Sequence, residues 1–194
     1  MDETPVIRKL DPSQLETASN ALIIGFSSDP FQRWLMPDPT IYYKNFKKWT
    51  DNACKQSFLA EGVYGDENNY GTAVWFPPGF DIDLTHISET YKDIPKDRIE
   101  EAFKIFEEIG ESRVHDAWYL EYLAVDPSKQ GSGLGSLILK ESLKVIDELG
   151  EAAYLESSNP KNMSLYERFG FRFLKKIQVG SSPELNTMFR QPKK

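Results

Sequence analysis

The order of apolar stretches predicts a mixed α/β fold, an α+β arrangement in which one mixed sheet is flanked by helices. Three observations carry that reading. A central unit made of "AWYLEYLAV", a glycine-rich turn, "GSLILKESLKVIDELG" and "AAYLES" (117–157) reads strand, turn, helix, strand. Strand-like stretches stand on both sides of it, and two of them, "FLAEGVYG" (58–65) and "NYGTAVWF" (69–76), meet through "DENN" as an antiparallel pair. A chain of 194 residues, 40% hydrophobic and 13% aromatic, supports one sizeable core, so residues 1–194 are taken as a single domain.

The elements follow in order. "TPVIRKL" (4–10) alternates as a first strand. Asp11 as N-cap, Pro12 at the first helical position and the stripe Leu15, Ala18, Leu22, Phe26 predict a helix over 11–26. The same Asp-Pro opening recurs at Asp29-Pro30 and Asp38-Pro39, the second leading into "TIYYKNFKKWTDNACKQ" (40–56), so two further helices are expected. After the hairpin, "PPGF" ends the pair and an acidic loop, Asp81 to Asp93, precedes a helix in "KDRIEEAFKIFEEIG" (96–110). Beyond the central unit come a short helix in "NMSLYERFG" (162–170) and two strands around "FRFLKKIQV" (171–179) and "LNTMFR" (185–190). There is no internal repeat and no linker.

Composition narrows the function. The formal net charge of -7 argues against a nucleic-acid partner, because phosphate contacts supply most of that affinity. The charge is uneven: from Lys161 onward eight Lys or Arg stand against two acids, a basic end that either helps to hold an anion or is simply solvated. No leader-like start and no run near the roughly 18 apolar residues of a membrane span are present, so a soluble, cytoplasmic protein with no membrane partner is expected. The single Cys54 fits a reducing compartment and reads as a small buried hydrophobe. His86 and His115 are the only histidines and lack a second ligand at metal spacing, so no metal is expected.

The chemistry concentrates in "LAVDPSKQGSGLGS" (123–136). Gly131, Gly133 and Gly135 remove side chains where a strand gives way to a helix, and the unpaired N–H groups of a helix N-terminus suit an anion such as phosphate. A P-loop would need a Lys after Gly135, and none follows. The dinucleotide fingerprint G-x-G-x-x-G fits Gly131, Gly133 and Ser136, with Glu156 where a ribose-binding acid would stand. Against it, five residues separate Val125 from Gly131, whereas that fingerprint follows its strand almost directly.

Q-x-x-G-x-G, Gln130 to Gly135, fits better, and with "YLESSNPKNMSLYERFGF" (154–171) it resembles the two signature motifs of the Gcn5-related N-acetyltransferase (GNAT) superfamily. "AVWFPPG" and the second motif are similar to its puromycin N-acetyltransferase-like branch. The resemblance covers nearly the whole chain. It implies a mostly antiparallel central sheet with one splayed parallel strand pair, and transfer of the acetyl group of acetyl-CoA to a primary amine in a ternary complex.

The resemblance also implies roles for particular residues. Leu123, Ala124 and Val125 would pair with the pantetheine amides. Gln130, Gly131, Ser132, Gly133, Leu134, Gly135 and Ser136 would receive the pyrophosphate, where a Cβ would hold the diphosphate off the N–H groups. Asn159 would touch the pantetheine arm or cap the following helix, with Asn162 as an alternative. Tyr166 stands at the general-acid position, near the departing sulfur. On "AWYLEYLAV", alternation places Tyr119, Glu121 and Leu123 on one face, and Glu121 is the candidate base, direct or through water. Phe31, Trp34, Trp75 and Phe76 either wall a substrate pocket or are plain core. The partner would be a small-molecule amine, less readily a protein, and the chain a monomer or homodimer. A non-catalytic acyl-CoA-binding sensor and a dinucleotide-binding oxidoreductase are the competing classes.

Overall fold

A computed structural model of the protein describes residues 5–193, the side chain of His86 excepted. Thr4, the start of the predicted first strand, lies outside the described residues. One seven-stranded sheet runs in the order β1 (Ile7–Lys9), β2 (Val63–Asp66), β3 (Gly71–Phe76), β4 (Ala117–Val125), β5 (Ala152–Ser157), β7 (Leu185–Arg190), β6 (Arg172–Ile177). Every neighbouring pair is antiparallel except β4–β5. The expected mixed α/β architecture is the observed one.

The three Asp-Pro openings act as caps. Asp11 receives the Ser13 N–H at 2.8 Å and, with Gln14, closes a capping box, but on a single 3-10 turn, after which α1 (Leu15–Gly25) begins. Asp29 caps α2 (Pro30–Leu35) and Asp38 caps α3 (Pro39–Leu59). α3 overruns the predicted strand start at Phe58 because Phe58 still packs on the core and the chain reverses only at Glu61, where φ is 52°. A short α4 (Thr85–Ser88) interrupts the acidic loop. α5 (Ile99–Ser112) runs through Gly110, and α6 (Leu134–Glu148) and α7 (Met163–Arg168) follow β4 and β5.

The sheet separates two cores. On one face α1, α3 and α5 cover residues such as Leu22, Phe46, Val74, Phe76 and Tyr122; on the other, α6 and α7 cover Trp75, Leu120, Leu155 and Met188. Gly135 in the first turn of α6 costs about 1 kcal/mol relative to alanine. Burial of Leu134, Ile138 and Leu139, at 4% exposure or less, returns roughly 1.5–3 kcal/mol each, so packing decides that the helix forms.

Arg190 is 2% exposed and locks the far end of the sheet to α6. Its guanidinium donates to both carboxylate oxygens of Asp147, at 2.6 and 2.7 Å, and its Nε to the Phe169 carbonyl at 2.7 Å. Burial raises the pKa of Asp147, but hydrogen bonds and charge from Arg190 outweigh that and hold it below the ordinary value. The stabilisation is therefore present above the ordinary carboxylate range and is lost as pH falls through the lowered pKa. Asp147→Ala strands the buried guanidinium and should cost ~3–5 kcal/mol in urea unfolding at pH 7. A loss below about 1 kcal/mol would show the pair to be replaceable by water.

Candidate functional site

β4 and β5 pair in parallel only from Ala117↔Ala152 to Leu120↔Leu155, although β4 continues to Val125 and β5 to Ser157. Beyond Leu120 the two strands part. The same point carries a bulge against β3: Val74 pairs with Tyr122 while Trp75 pairs with Leu120, so Glu121 has no partner there. This corrects the alternation read from the sequence. Tyr119 belongs to the core beneath α1 and α3 and Leu123 packs on the core beneath α6, because the extra residue reverses the faces between them.

The splay opens a groove bordered by the C-terminal end of α1. A Cβ on Gly25 would stand 2.6 Å from the Ala124 Cβ and 3.1 Å from the main-chain N and O of Val125, so the helix end lies directly on the strand. The loop after β4 starts with Asp126, whose carboxylate accepts the Ser128 N–H at 2.8 Å, and is tied back by the Gln130 side-chain amide donating to the Val125 carbonyl at 3.2 Å. Gly131 and Gly133 have φ of 78° and 90°, and a Cβ at either would meet no atom within 4 Å, so what bare backbone secures there is the left-handed conformation and open access. Among the described residues, the N–H groups of Gly131, Gly133, Leu134, Gly135 and Ser136 have no acceptor.

Most of the residues singled out from sequence meet in this groove. Leu123, Ala124 and Val125 line one side, and Gln130, Gly131, Gly133, Leu134, Gly135 and Ser136 the loop end. Ser132 is not among the lining residues; its hydroxyl donates to the Lys129 carbonyl at 2.6 Å. The basic C-terminal end divides: Lys161 and Arg168 join Lys129 on the groove wall, whereas Lys175, Lys176 and Arg190 are paired with Glu108, Glu184 and Asp147.

Asn159 lines the groove and also caps, its Oδ1 accepting the Lys161 N–H at 3.1 Å. Asn162 makes no capping bond. Tyr166, 6% exposed, packs edge-on against Phe171. Burial, and then the charge of Asp29, push its phenol well above the usual value, so it is a proton donor at neutral pH. Asp29 is itself buried, accepting the Gln32 N–H at 3.0 Å and the Ser158 hydroxyl at 2.5 Å, which joins the α2 cap to the loop after β5.

A second cavity of about 520 Å³ lies behind the groove, on the α3 and α5 side of the sheet, and shares Phe26, Leu123, Asn162 and Tyr166 with it. Its walls are largely apolar: Trp49 from α3, Phe106 and Ile109 from α5, Phe80 from the end of "PPGF", and Ile82 and Ile87 from the segment read as an acidic loop. Within "FDIDL" the apolar residues alternate with Asp81 and Asp83, a period-2 signal that the count of acids obscured. Of the four aromatics named from sequence, Phe31 lines the cavity. Trp75 is fully buried beneath α6, Phe76 packs on Phe80 at 5.0 Å, and Trp34 stacks on Phe31 and donates to the Ser181 hydroxyl at 3.2 Å. Strand alternation sends Trp75 and Phe76 to opposite faces.

At the cavity floor stand two carboxyls. Glu121 and Glu156 are each the first residue past the last β4–β5 pair, and both line the cavity. Burial raises the pKa of Glu121 against the influence of Arg113, Tyr119 and Tyr122. Glu156 is pushed up to about 7 by burial and by the charge of Glu121, against the hydroxyls of Tyr119 and Tyr154 and the charge of Arg113. Those hydroxyls are near enough to act on Glu156, yet its Oε1 and the Tyr154 hydroxyl are buried without hydrogen-bond geometry. Arg113 stacks over the Tyr119 ring at 4.3 Å. The sequence reading placed Glu156 only as a possible ribose ligand and missed this pairing. The signal was present: the tripeptide Tyr-Leu-Glu occurs at 119–121 and 154–156, and Tyr119↔Tyr154 and Leu120↔Leu155 are in register. Among the described residues no group of three or more His, Cys, Asp or Glu is placed to hold a metal ion, and no helix is long and apolar enough to cross a membrane.

Residues 99–173, from α5 to the start of β6, match the model of the acetyltransferase (GNAT) domain. An uncharacterized N-acetyltransferase of Schizosaccharomyces pombe is 31% identical over 88 residues, covering 44% of this chain and only 36% of that protein. Among solved structures, the histone acetyltransferase HPA2 and related acetyltransferase from Corynebacterium glutamicum superposes with a TM-score of 0.69 at 21% identity, over 98% of each chain. Arylalkylamine N-acetyltransferase 2 from Aedes aegypti gives 0.67 at 12% identity over 98% of this chain and 100% of its own. The polyamine N-acetyltransferase of Drosophila melanogaster gives 0.65 at 11% over 97% and 100%. These likenesses establish the fold.

The Glu156 carboxyl provides a direct check on the electrostatics. Its folded-state pKa lies above the ordinary value near 4.3, so the folded protein binds the extra proton and stability declines as pH rises from there through about 7. Glu156→Gln removes that ionisation and should be more stable than wild type at pH 8 by on the order of 2 kcal/mol, with little difference at pH 4. Equal pH dependence of the urea midpoint in both proteins would mean that Glu156 titrates as a solvated carboxyl.

Proposed function

We propose that the chain is a GNAT acyltransferase that transfers the acetyl group of acetyl-CoA to the nitrogen of a primary amine. The observation that carries this reading is the meeting of two spaces at Tyr166: an anion-suited groove along the splayed end of β4, and a largely apolar cavity floored by carboxyls. The family match over residues 99–173 supports it, since that stretch holds the loop, both glutamates and Tyr166. The two motifs quoted from sequence further support a place near the puromycin N-acetyltransferase-like branch. We place the protein in the cytoplasm, where the lone buried Cys54 stays reduced.

Acetyl-CoA supplies an activated acyl carbon with a thiolate leaving group. The groove fits it: the open N–H groups of Gly131, Gly133, Leu134, Gly135 and Ser136 and the cations Lys129, Lys161 and Arg168 face the diphosphate, and the free edge of Leu123–Val125 faces the pantetheine amides. Gln130 fixes the loop to the strand, while Asn159 and Asn162 border the arm. The amine approaches from the cavity side. Most alkylamines are protonated at neutral pH, so a carboxylate must take one proton before attack, and Glu121 stands on the strand beside the reacting centre. As the N–C bond forms and the C–S bond breaks, the Tyr166 hydroxyl gives its proton to the sulfur and recovers one from the new amide nitrogen. One proton per turnover leaves through the carboxyl. The largely apolar cavity of about 520 Å³ suits a small molecule, while the neighbours' names, spanning histones, arylalkylamines and polyamines, leave the substrate to the site itself.

Gly133→Val forces a branched residue into a left-handed φ and places methyls over the open N–H groups. Acetyl-CoA affinity by calorimetry should fall at least tenfold in a variant that remains folded by circular dichroism. Undiminished affinity would remove this loop as the diphosphate site. Tyr166→Phe keeps the packing on Phe171 and deletes the proton donor, so the acyl-transfer step measured by rapid quench should slow by ~10² to 10⁴ with acetyl-CoA affinity unchanged. A wild-type rate for that step would leave Tyr166 as a core aromatic, and bound acetyl-CoA with no transfer to any amine would favour a sensor.

A further inference from the structure

The cavity holds more negative charge than it neutralises. Glu121 and Glu156 project from adjacent strands at the point of splay, and the one cation lining the cavity beside them, Arg113, makes no ion pair with either among the described residues; it lies over the Tyr119 ring. The remaining neighbours of the two carboxyls are the phenols of Tyr119, Tyr122 and Tyr154. Buried carboxylates in such surroundings are costly unless a cation joins them. Oε1 of Glu156, buried and without a partner, provides an acceptor for one ammonium hydrogen.

Apart from Glu121 and Glu156, the one carboxylate lining the cavity is Asp81, and it is exposed to solvent. The walls from α3 and α5 present Trp49, Phe106 and Ile109, and the opposite wall presents Phe80, Ile82 and Ile87. His115 is exposed as well, and the buried part of the wall, Trp49 and Ile87, is apolar. A volume of about 520 Å³ accommodates an alkyl or aryl body of roughly a dozen heavy atoms.

Resting on the acetyl-transfer reading above, we infer that the substrate is a hydrophobic monoamine, its single ammonium held between Glu121 and Glu156 and its apolar body filling the cavity beneath Phe80, Ile82 and Phe106. Glu156 is the specificity-determining member of the pair. The proton lost by the ammonium passes to the two carboxyls, and the neutral nitrogen is left facing the groove at Tyr166. A second ammonium at the far end of the substrate would lie among apolar side chains with only the exposed, solvent-screened Asp81 as a counter-charge, which disfavours diamines and guanidino-amines.

The test is the steady-state acetylation of phenethylamine, hexylamine, 1,6-diaminohexane and Nα-acetyl-lysine amide by the full chain with acetyl-CoA. Phenethylamine and hexylamine should exceed the diamine in kcat/KM by about tenfold or more. Glu156→Gln should raise KM for the monoamines at least tenfold while leaving acetyl-CoA affinity unchanged. Ile82→Glu, on a half-buried wall position, should narrow or invert the preference by giving the diamine a less exposed counter-charge. A wild-type preference for the diamine or the lysine amide, or a monoamine KM indifferent to Glu156→Gln, overturns the substrate inference while acetyl transfer stands. Acetyl-CoA binding without acetylation of any of the four overturns both.

Discussion

The site depends on one break in hydrogen bonding, the end of parallel pairing after Leu120↔Leu155. Two strands that remained paired to their tips would use up the main-chain groups of Leu123 to Val125 and close the space between groove and cavity. The bulge at Glu121 provides the mechanism of separation. An unpaired residue on the β3 side bends β4 and strengthens its twist, so the strand leaves β5 while staying bonded to β3 up to Gly71↔Val125. Leaving such an edge open is tolerable because α1 covers it at Gly25 and because a ligand can complete it.

That break also determines the electrostatics. Side chains at the first unpaired position of each strand are carried into the opening rather than into either core, and here both are glutamates. Elsewhere the buried charges are matched, as in the bidentate Arg190–Asp147 pair and in Asp29, held by Gln32 and Ser158. The unmatched pair at the splay is therefore an exception within the same molecule. Burial raises the pKa of both carboxyls, and perturbed carboxyls in a cavity mark a candidate functional site.

Local signals in the sequence were dependable. The Asp-Pro caps, the glycine loop, the hairpin through "DENN" and the Tyr166 helix depend on interactions within a few residues, and each appears where expected. What escaped depends on pairing across the sheet. The reversal of faces between Tyr119 and Leu123 comes from a bulge whose partner, Val74/Trp75, lies more than forty residues away. The extra turn of α3 reflects the packing of Phe58, a tertiary effect. The role of Glu156 needed the register of two parallel strands, which the repeated Tyr-Leu-Glu carries but which no single stretch reveals.

Most of the cavity wall comes from a different part of the chain than its floor. The loop, both glutamates and Tyr166 all lie within residues 99–173, whereas Phe26, Phe31, Trp49, Phe80, Ile82 and Ile87 precede that segment. The proposed reacting groups are thus encoded apart from most of the wall, Phe106 and Ile109 of α5 excepted, and the two are joined through the sheet and the Asp29–Ser158 bond. Changes in the first half that spare Asp29 would reshape the cavity while leaving the loop, the glutamates and Tyr166 in place. On the proposed reading, the N-terminal helices and the 80–87 segment form an exchangeable mould set over a fixed reaction centre.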